Sequence, residues 1–215
     1  MSARQIPARP ARTEIVVVNS RFIASAGPAF SVEEARAFIE GVRREFPDAS
    51  HHVPAFLIGH GASVTAHCSD AGEPSGTAGR PALAVLQGSG LGDAVVVITR
   101  YFGGTKLGTG GLVRAYTEAA KAVLAVLPRA EKVATHTVMT AVAYSYYERA
   151  RNLIAERGGV MLDEDFGAEV TLAARFRVED FAVFQSALVE LTRGAARAEI
   201  VETQANTILP LPPQG

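Results

Sequence analysis

A chain of 215 residues, 48% hydrophobic and 20% charged, holds enough apolar material for one large domain or two small ones and reads as an ordinary globular protein. Its formal net charge of -1 excludes a uniformly basic protein, so any contact with nucleic acid has to come from a local patch. The single cysteine, Cys68, excludes an intrachain disulfide, and no stretch approaches the ~18–20 apolar residues of a membrane span. The expectation is a cytoplasmic protein, neither exported nor inserted, with no membrane partner.

In chain order, residues 1–13 carry Arg4, Arg9 and Arg12 with Pro7 and Pro10 and read as a flexible arm. The β-branched run at 14–19 predicts a first strand, which the segment 20–24 continues or pairs with. Ser31 followed by Glu34 is a helix-start pairing, Val32, Ala35, Ile39, Val42 and Phe46 recur at helical spacing, and Pro47 ends the segment. Residues 53–58 predict a strand in which Pro54 demands an edge or starting position. Pro81 fits the first turn of a helix over 82–87. The run Ala94-Val95-Val96-Val97-Ile98-Thr99 predicts a strand covered on both faces, with Arg100 at its end. Leu112, Tyr116, Ala119, Val123 and Leu127 mark a further helix, and 128–132 reads as a linker. Beyond it, strands at 133–144, 160–162, 170–178 and 198–201 with helices around Tyr147–Ile154 and Phe181–Leu191 give the order βαββαβ, a ferredoxin-like unit. The expected fold class is therefore α+β in two domains, 1–130 and 131–207, followed by a loose proline-rich tail at 208–215.

About half of the chain's 20 glycines lie in or between two blocks, Ser69-Asp70-Ala71-Gly72-Glu73-Pro74-Ser75-Gly76-Thr77-Ala78-Gly79-Arg80-Pro81 and Thr99-Arg100-Tyr101-Phe102-Gly103-Gly104-Thr105-Lys106-Leu107-Gly108-Thr109-Gly110-Gly111-Leu112-Val113-Arg114. Neither is a P-loop, because Lys106 precedes Gly108, and the glycines at 88–92 lie between a helix and a strand, the wrong order for a dinucleotide site. Gly108, Gly110 and Gly111 stand immediately before a helix, where free amides and a positive dipole attract anions. Arg80, Arg100, Lys106 and Arg114 add positive charge, and Tyr101 and Phe102 offer rings for stacking on bases. Against that surface stands an architectural reading: the glycines make turns, and the arginines pair with Asp70, Glu73 or Glu118. Asp70 and Glu73 are the candidate carboxylates for acid–base or metal chemistry, with Ser75 or Thr77 nearby, and they suit equally a turn in which carboxylates cap amides. His51, His52, His60, His67 and Cys68 show no ligand spacing, so no metal is expected, and no motif calls for a cofactor.

The two blocks closely resemble the signature blocks of the IMPACT family, and Ser20-Arg21-Phe22-Ile23-Ala24 and Ala49-Ser50-His51 resemble its earlier, weaker motifs. The C-terminal unit resembles the ferredoxin-like domain that bacterial members of the YigZ type carry. One position departs from the pattern: Ala71 stands where the family usually has a second aspartate, which weakens any paired-carboxylate metal site. The resemblance implies a first domain like ribosomal proteins and domain IV of elongation factor G, and a second like that factor's domain V. It implies a translation-associated regulator with RNA or ribosomal components as partners, a protein partner being the other possibility. Eukaryotic relatives regulate initiation by competing with a stress kinase for its activator through an extra N-terminal domain, and that mechanism is not expected here. The expected function is thus a non-enzymatic RNA- or ribosome-binding regulator acting through Arg80, Arg100, Tyr101, Lys106, Gly110, Gly111 and Arg114. The alternatives are a small hydrolase or phosphate-ligand enzyme using Asp70 and Glu73, or a protein-interaction module.

Overall fold

Residues 4–60 and 63–211 are described by the computed structural model, and they fall into two units. One is built from the chain up to Glu131 with the residues from Leu209 onward, the other from Lys132–Ile208. The architecture is mixed α+β, with two sheets and five helices among the described residues. No helix among them is long and apolar enough to cross a membrane.

In the first unit a short strand β1 (Arg4–Pro7) precedes the hairpin β2 (Ala11–Val17) and β3 (Ser20–Pro28), followed by α1 (Val32–Glu45). Next come a second hairpin, β4 (His51–His60) and β5 (Ser63–Cys68), then α2 (Gly79–Gly88), β6 (Ala94–Tyr101) and α3 (Gly108–Val126). The sheet order is β2-β3-β6-β4-β5, with each pairing antiparallel. Its central strand, β6, explains the uninterrupted apolar run, because side chains alternate between faces and both faces are covered. Val95 and Val97 pack with Ala35, Ile39 and Val42 of α1, whereas Ala94, Val96 and Ile98 pack with Ala82 and Leu86 of α2 and Tyr116, Ala119 and Val123 of α3.

The local signals act as their chemistry dictates. Ser31 Oγ accepts from the Glu34 amide at 3.1 Å, satisfying one of the free amides at the start of α1, while Glu34 Oε2 reaches back to accept from the Phe30 amide just before the cap at 2.8 Å. Pro54 corrects one expectation: it lies inside β4, between β6 and β5, and not at an edge or start, pairing with Val97 of β6 while its carbonyl accepts from the Ser69 amide at 3.2 Å, one residue before the registered pairing with β5 begins at Ala55. Segment 20–24 pairs with the first strand through a tight turn whose residues Val18 and Asn19 both have positive φ, 44° and 63°.

In the second unit, β7 (Arg129–Val142), α4 (Tyr147–Glu156), β8 (Val160–Phe166), β9 (Val170–Arg177), α5 (Val178–Leu191) and β10 (Glu199–Pro210) follow the order βαββαβ, with strands arranged β8-β9-β7-β10. Val170, Leu172, Ala174 and Phe176 alternate inward from β9 onto Ile154 of α4 and Phe184 and Leu188 of α5, with the Phe176 and Phe184 rings stacked at 4.2 Å. This is the ferredoxin-like arrangement.

Several expectations are corrected. The N-terminal arm is structured from residue 4: β1 and β2 occupy it, Ile6 is fully buried, the Gln5 carbonyl accepts from the Gly92 amide at 3.0 Å, and the Ala8 amide donates to the Pro128 carbonyl at 2.7 Å. Residues 129–132 are strand, not linker, because β7 begins at Arg129. The tail is ordered through residue 210 in β10, and the Leu211 amide donates to the Arg129 carbonyl at 3.0 Å; the rest of the expected tail, 212–215, lies outside the described residues, as do residues 1–3 of the arm. The helix expected at Leu112 starts at Gly108, so Gly110 and Gly111 belong to its first turn. β5 has no counterpart among the expected elements because all but its last residue are exposed, leaving no apolar alternation to read.

Candidate functional site

The two glycine blocks meet at one buried ion pair. The alternation that places Ala94, Val96 and Ile98 under α2 and α3 carries Arg100 onto the same face, and in register it lies between Phe22 of β3 and His51 of β4. Arg100 Nη1 is 2.6 Å from Glu73 Oε1, and the two side chains are only 5% and 3% exposed. The phenol of Tyr116, from α3, donates to the same carboxylate oxygen at 2.7 Å. Burial, and then that hydrogen bond to Glu73, hold the Tyr116 hydroxyl far above its ordinary pKa, so it serves as a permanent donor. Arg100 Nη2 donates to Ser20 Oγ at 3.2 Å, and the Gly103 amide donates to the same hydroxyl at 3.3 Å. His51 Nδ1 donates to the Ala71 carbonyl at 2.9 Å, which leaves Nε2 3.9 Å from Glu73 Oε1. One cation and one carboxylate thus tie β3, β4, β6, α3 and the 70–79 loop together.

Asp70 does a different job in that loop. Its Oδ1 accepts from the Ala78 and Gly79 amides at 3.1 and 2.8 Å, and its Oδ2 from the Gly76 amide at 2.8 Å. Burial works to raise its pKa, but the three amides and the charge of Arg80 outweigh it, and the carboxyl sits below its ordinary value. The negative end expected at a helix start is therefore supplied to α2 by Asp70 from outside the helix. Gly79 allows the close approach, since a Cβ there would lie 2.7 Å from the Ser69 carbonyl carbon and oxygen. Ala71, half-buried at the turn, has φ 49°, a region that asparagine tolerates better than alanine. Ala71→Asn is expected to raise stability by about 0.5 kcal/mol, read as a higher denaturation midpoint in urea.

The second block leaves the sheet at Phe102, whose amide donates to Ser50 Oγ at 3.1 Å. Gly103 is pressed onto the β2–β3 turn so closely that a Cβ would lie 2.1 Å from the Asn19 carbonyl carbon and oxygen. At the start of α3 no side chain caps the amides and no acid occupies the first turn, while Gly108 and Gly110 are exposed. Lys106, Arg80 and Arg114 are exposed and form no ion pair among the described residues; Arg114 Nε reaches the Gly110 carbonyl at 3.4 Å. Tyr101, one residue along β6 from Arg100, has its hydroxyl on Asp48 Oδ1 at 2.9 Å and the Arg21 guanidinium over its ring at 5.5 Å.

Comparison with known proteins places both blocks inside a match to the Impact N-terminal domain over residues 18–124, and residues 140–195 match a domain of unknown function, DUF1949. The chain is 36% identical to the IMPACT family member YigZ of Escherichia coli (strain K12), across 94% of this chain and 100% of that protein. The chain belongs to the IMPACT family. A second member, YvyE of Bacillus subtilis (strain 168), is 33% identical over 84% of this chain and 83% of its own. A crystal structure described as that of a hypothetical protein superimposes with a TM-score of 0.61 at 36% identity, covering 94% of this chain and 98% of that one.

Within this IMPACT chain the residues picked out from sequence divide into two groups. Arg100 is corrected: it is not a surface cation but the buried partner of Glu73, because β6 runs two residues further than the apolar run and keeps its alternation. Asp70 and Glu73 are brought to the same loop and both are engaged, Asp70 by amides and Glu73 by Arg100 and Tyr116. Lys106, Arg80, Arg114, Gly108 and Gly110 face solvent. Ser20, His51 and Tyr116 belong to the network, yet none was picked out as a site residue in the sequence. Tyr116 sits in the helical apolar repeat, where a core phenol and a hydrogen-bonding one look alike. Among the described residues no group of three His, Cys, Asp or Glu is placed to hold a metal ion. His52 turns to Thr99, His60 to the Gln5 carbonyl and His67 to the Phe56 ring.

Proposed function

We propose that this IMPACT-family chain is a cytoplasmic, non-enzymatic protein of the translation system that binds RNA, free or within ribosomal particles. The observation that carries the reading is the start of α3: uncapped amides, exposed glycines that let a phosphate approach the backbone, and Lys106 and Arg114 without carboxylate partners among the described residues. From Gly103 to Thr117 the sequence contains no acid. Arg80, exposed near the start of α2, adds a third cation, although part of its field falls on Asp70. In this reading Asp70, Glu73 and Arg100 are scaffold, and Tyr101, tied to Asp48 and Arg21, is left out of the contact surface. The lone Cys68 fits a reducing compartment.

Binding through phosphates releases counterions, so affinity falls with salt in proportion to the number of contacts. Measured by fluorescence anisotropy on labelled RNA across a salt series, Lys106→Ala combined with Arg114→Ala is expected to lower the slope of log affinity against log salt by about 2. An unchanged slope, or no RNA binding at low salt, contradicts the proposal.

A further inference from the structure

Phe102 is a large aromatic side chain that the fold holds in water. Nearly half of it, 48%, is exposed, although it follows directly on the central strand of the sheet. Its backbone is fixed on both sides: its own amide is bonded to Ser50 Oγ, and the next residue, Gly103, is wedged against Asn19 with its amide on Ser20 Oγ. Inward movement of the ring is blocked. The Arg100 guanidinium lies over it at 5.6 Å and also over the Phe22 ring at 5.4 Å, and that guanidinium is anchored by Glu73 at 2.6 Å. Phe22 itself is fully buried and meets Tyr116 edge-to-face at 5.2 Å. The result is a continuous series of contacts, Tyr116, Phe22, Arg100, Phe102, that starts in the core and ends on a ring open to solvent. An exposed phenylalanine that was free to move would lose rotamer freedom on contact with a ligand, whereas this one has little left to lose.

Tyr101 does not offer the same thing, since Arg21 covers its ring. The surroundings of Phe102 also favour one kind of ligand. An apolar peptide needs contiguous apolar area, but the residues that follow are glycines, threonines, Lys106 and one apolar side chain, Leu107, which is half-buried against the core, and they lead into the uncapped start of α3. A flat ring beside a cation and free amides matches a flat base joined to a phosphate.

Resting on the RNA-binding reading above, we infer that Phe102 is a stacking platform for one unpaired base, and that the chain therefore selects single-stranded over duplex RNA. A paired base inside an A-form helix presents no free face to a protein ring, whereas a base in a single strand does. Arg100, Glu73 and Tyr116 are positioning residues in this scheme, holding the ring without touching the RNA.

The chain contains no tryptophan, so Phe102→Trp introduces the only indole, which can be excited at a longer wavelength than the five tyrosines, at the platform. Titrated with oligo(U), full-length F102W is expected to lose emission through base stacking, and titrated with an oligo(A)·oligo(U) duplex to lose little. In anisotropy assays on oligo(U), Phe102→Ala is expected to weaken binding about tenfold or more while leaving the salt slope unchanged, because the phosphate contacts remain. Two outcomes overturn the stacking inference alone: oligo(U) affinity that Phe102→Ala does not alter, or equal quenching by duplex. Absence of RNA binding by the unmodified chain at low salt overturns both the inference and the reading on which it rests.

Discussion

Replacing Glu73 by glutamine is expected to cost the fold about 3–5 kcal/mol, the usual consequence of leaving a buried charge without its counter-ion. Arg100 is 5% exposed, and the Glu73 carboxylate is the only acid bonded to it among the described residues, so an amide in its place removes the compensation without admitting water. The cost is compounded because Arg100 Nε already lies buried without a hydrogen-bond partner among the described residues, so weakening the Glu73 bond adds a second poorly satisfied donor on the same guanidinium. Arg100→Ala is expected to cost a similar amount for the complementary reason, with Glu73 then held by the Tyr116 hydroxyl and by His51 Nε2 at 3.9 Å, without its guanidinium. The informative variant is the double one. Glu73→Leu combined with Arg100→Met removes both charges and fills the same space with apolar atoms, and it is expected to lose far less than the two single changes added together. Urea denaturation followed by circular dichroism reads all three. A Glu73→Gln protein within about 1 kcal/mol of the parent would show that the pair is more hydrated than its geometry implies.

Asp70→Ala is expected to destabilise by about 2–3 kcal/mol, more than an ordinary helix cap, since it releases three amides at once and one of its two oxygens serves a pair of them. This contribution has a defined pH window. The folded-state pKa of Asp70 is lowered, so its stabilisation is fully present above the unfolded value near 3.9 and is lost as pH falls through the folded value. The stability gap between the parent and Asp70→Ala should therefore be constant near neutrality and close as the solution is acidified below about pH 4. A gap that persists unchanged into strong acid would mean that the carboxylate charge is not what holds the loop.

The sequence carried the fold where one cause dominates. Ser31 with Glu34 sets the start of α1 by local hydrogen bonding, and the run from Ala94 to Ile98 makes a central strand because only cover on both faces suits it. It misled where distant chain supplies the partner. Arg9 and Arg12 beside Pro7 and Pro10 look like a solvated arm, yet Gln5 and Ala8 find their partners far along the chain, in Gly92 and Pro128, and residues 11–17 then pair with the neighbouring strand from Ser20. The site shows the same division. Clustered glycines and cations identified the right region, but the burial of Arg100 depends on a side-chain alternation that continues past Thr99, and on Glu73, which lies 27 residues away. Charge type is visible in a sequence; whether that charge meets water or a counter-ion is settled by packing. The two blocks accordingly do two jobs, a buried pair that fixes the scaffold and an exposed edge at α3 that presents cations, amides and Phe102.

Amide chemical-shift mapping on the nitrogen-15-labelled chain, titrated with single-stranded RNA at low salt, separates those jobs directly. The predicted result is that the largest shifts fall between Phe102 and Arg114, with smaller ones near Arg80, while residues 132–208 stay in place. Shifts confined to 132–208, or none at all, would contradict the assignment of the α3 edge as the surface that meets RNA.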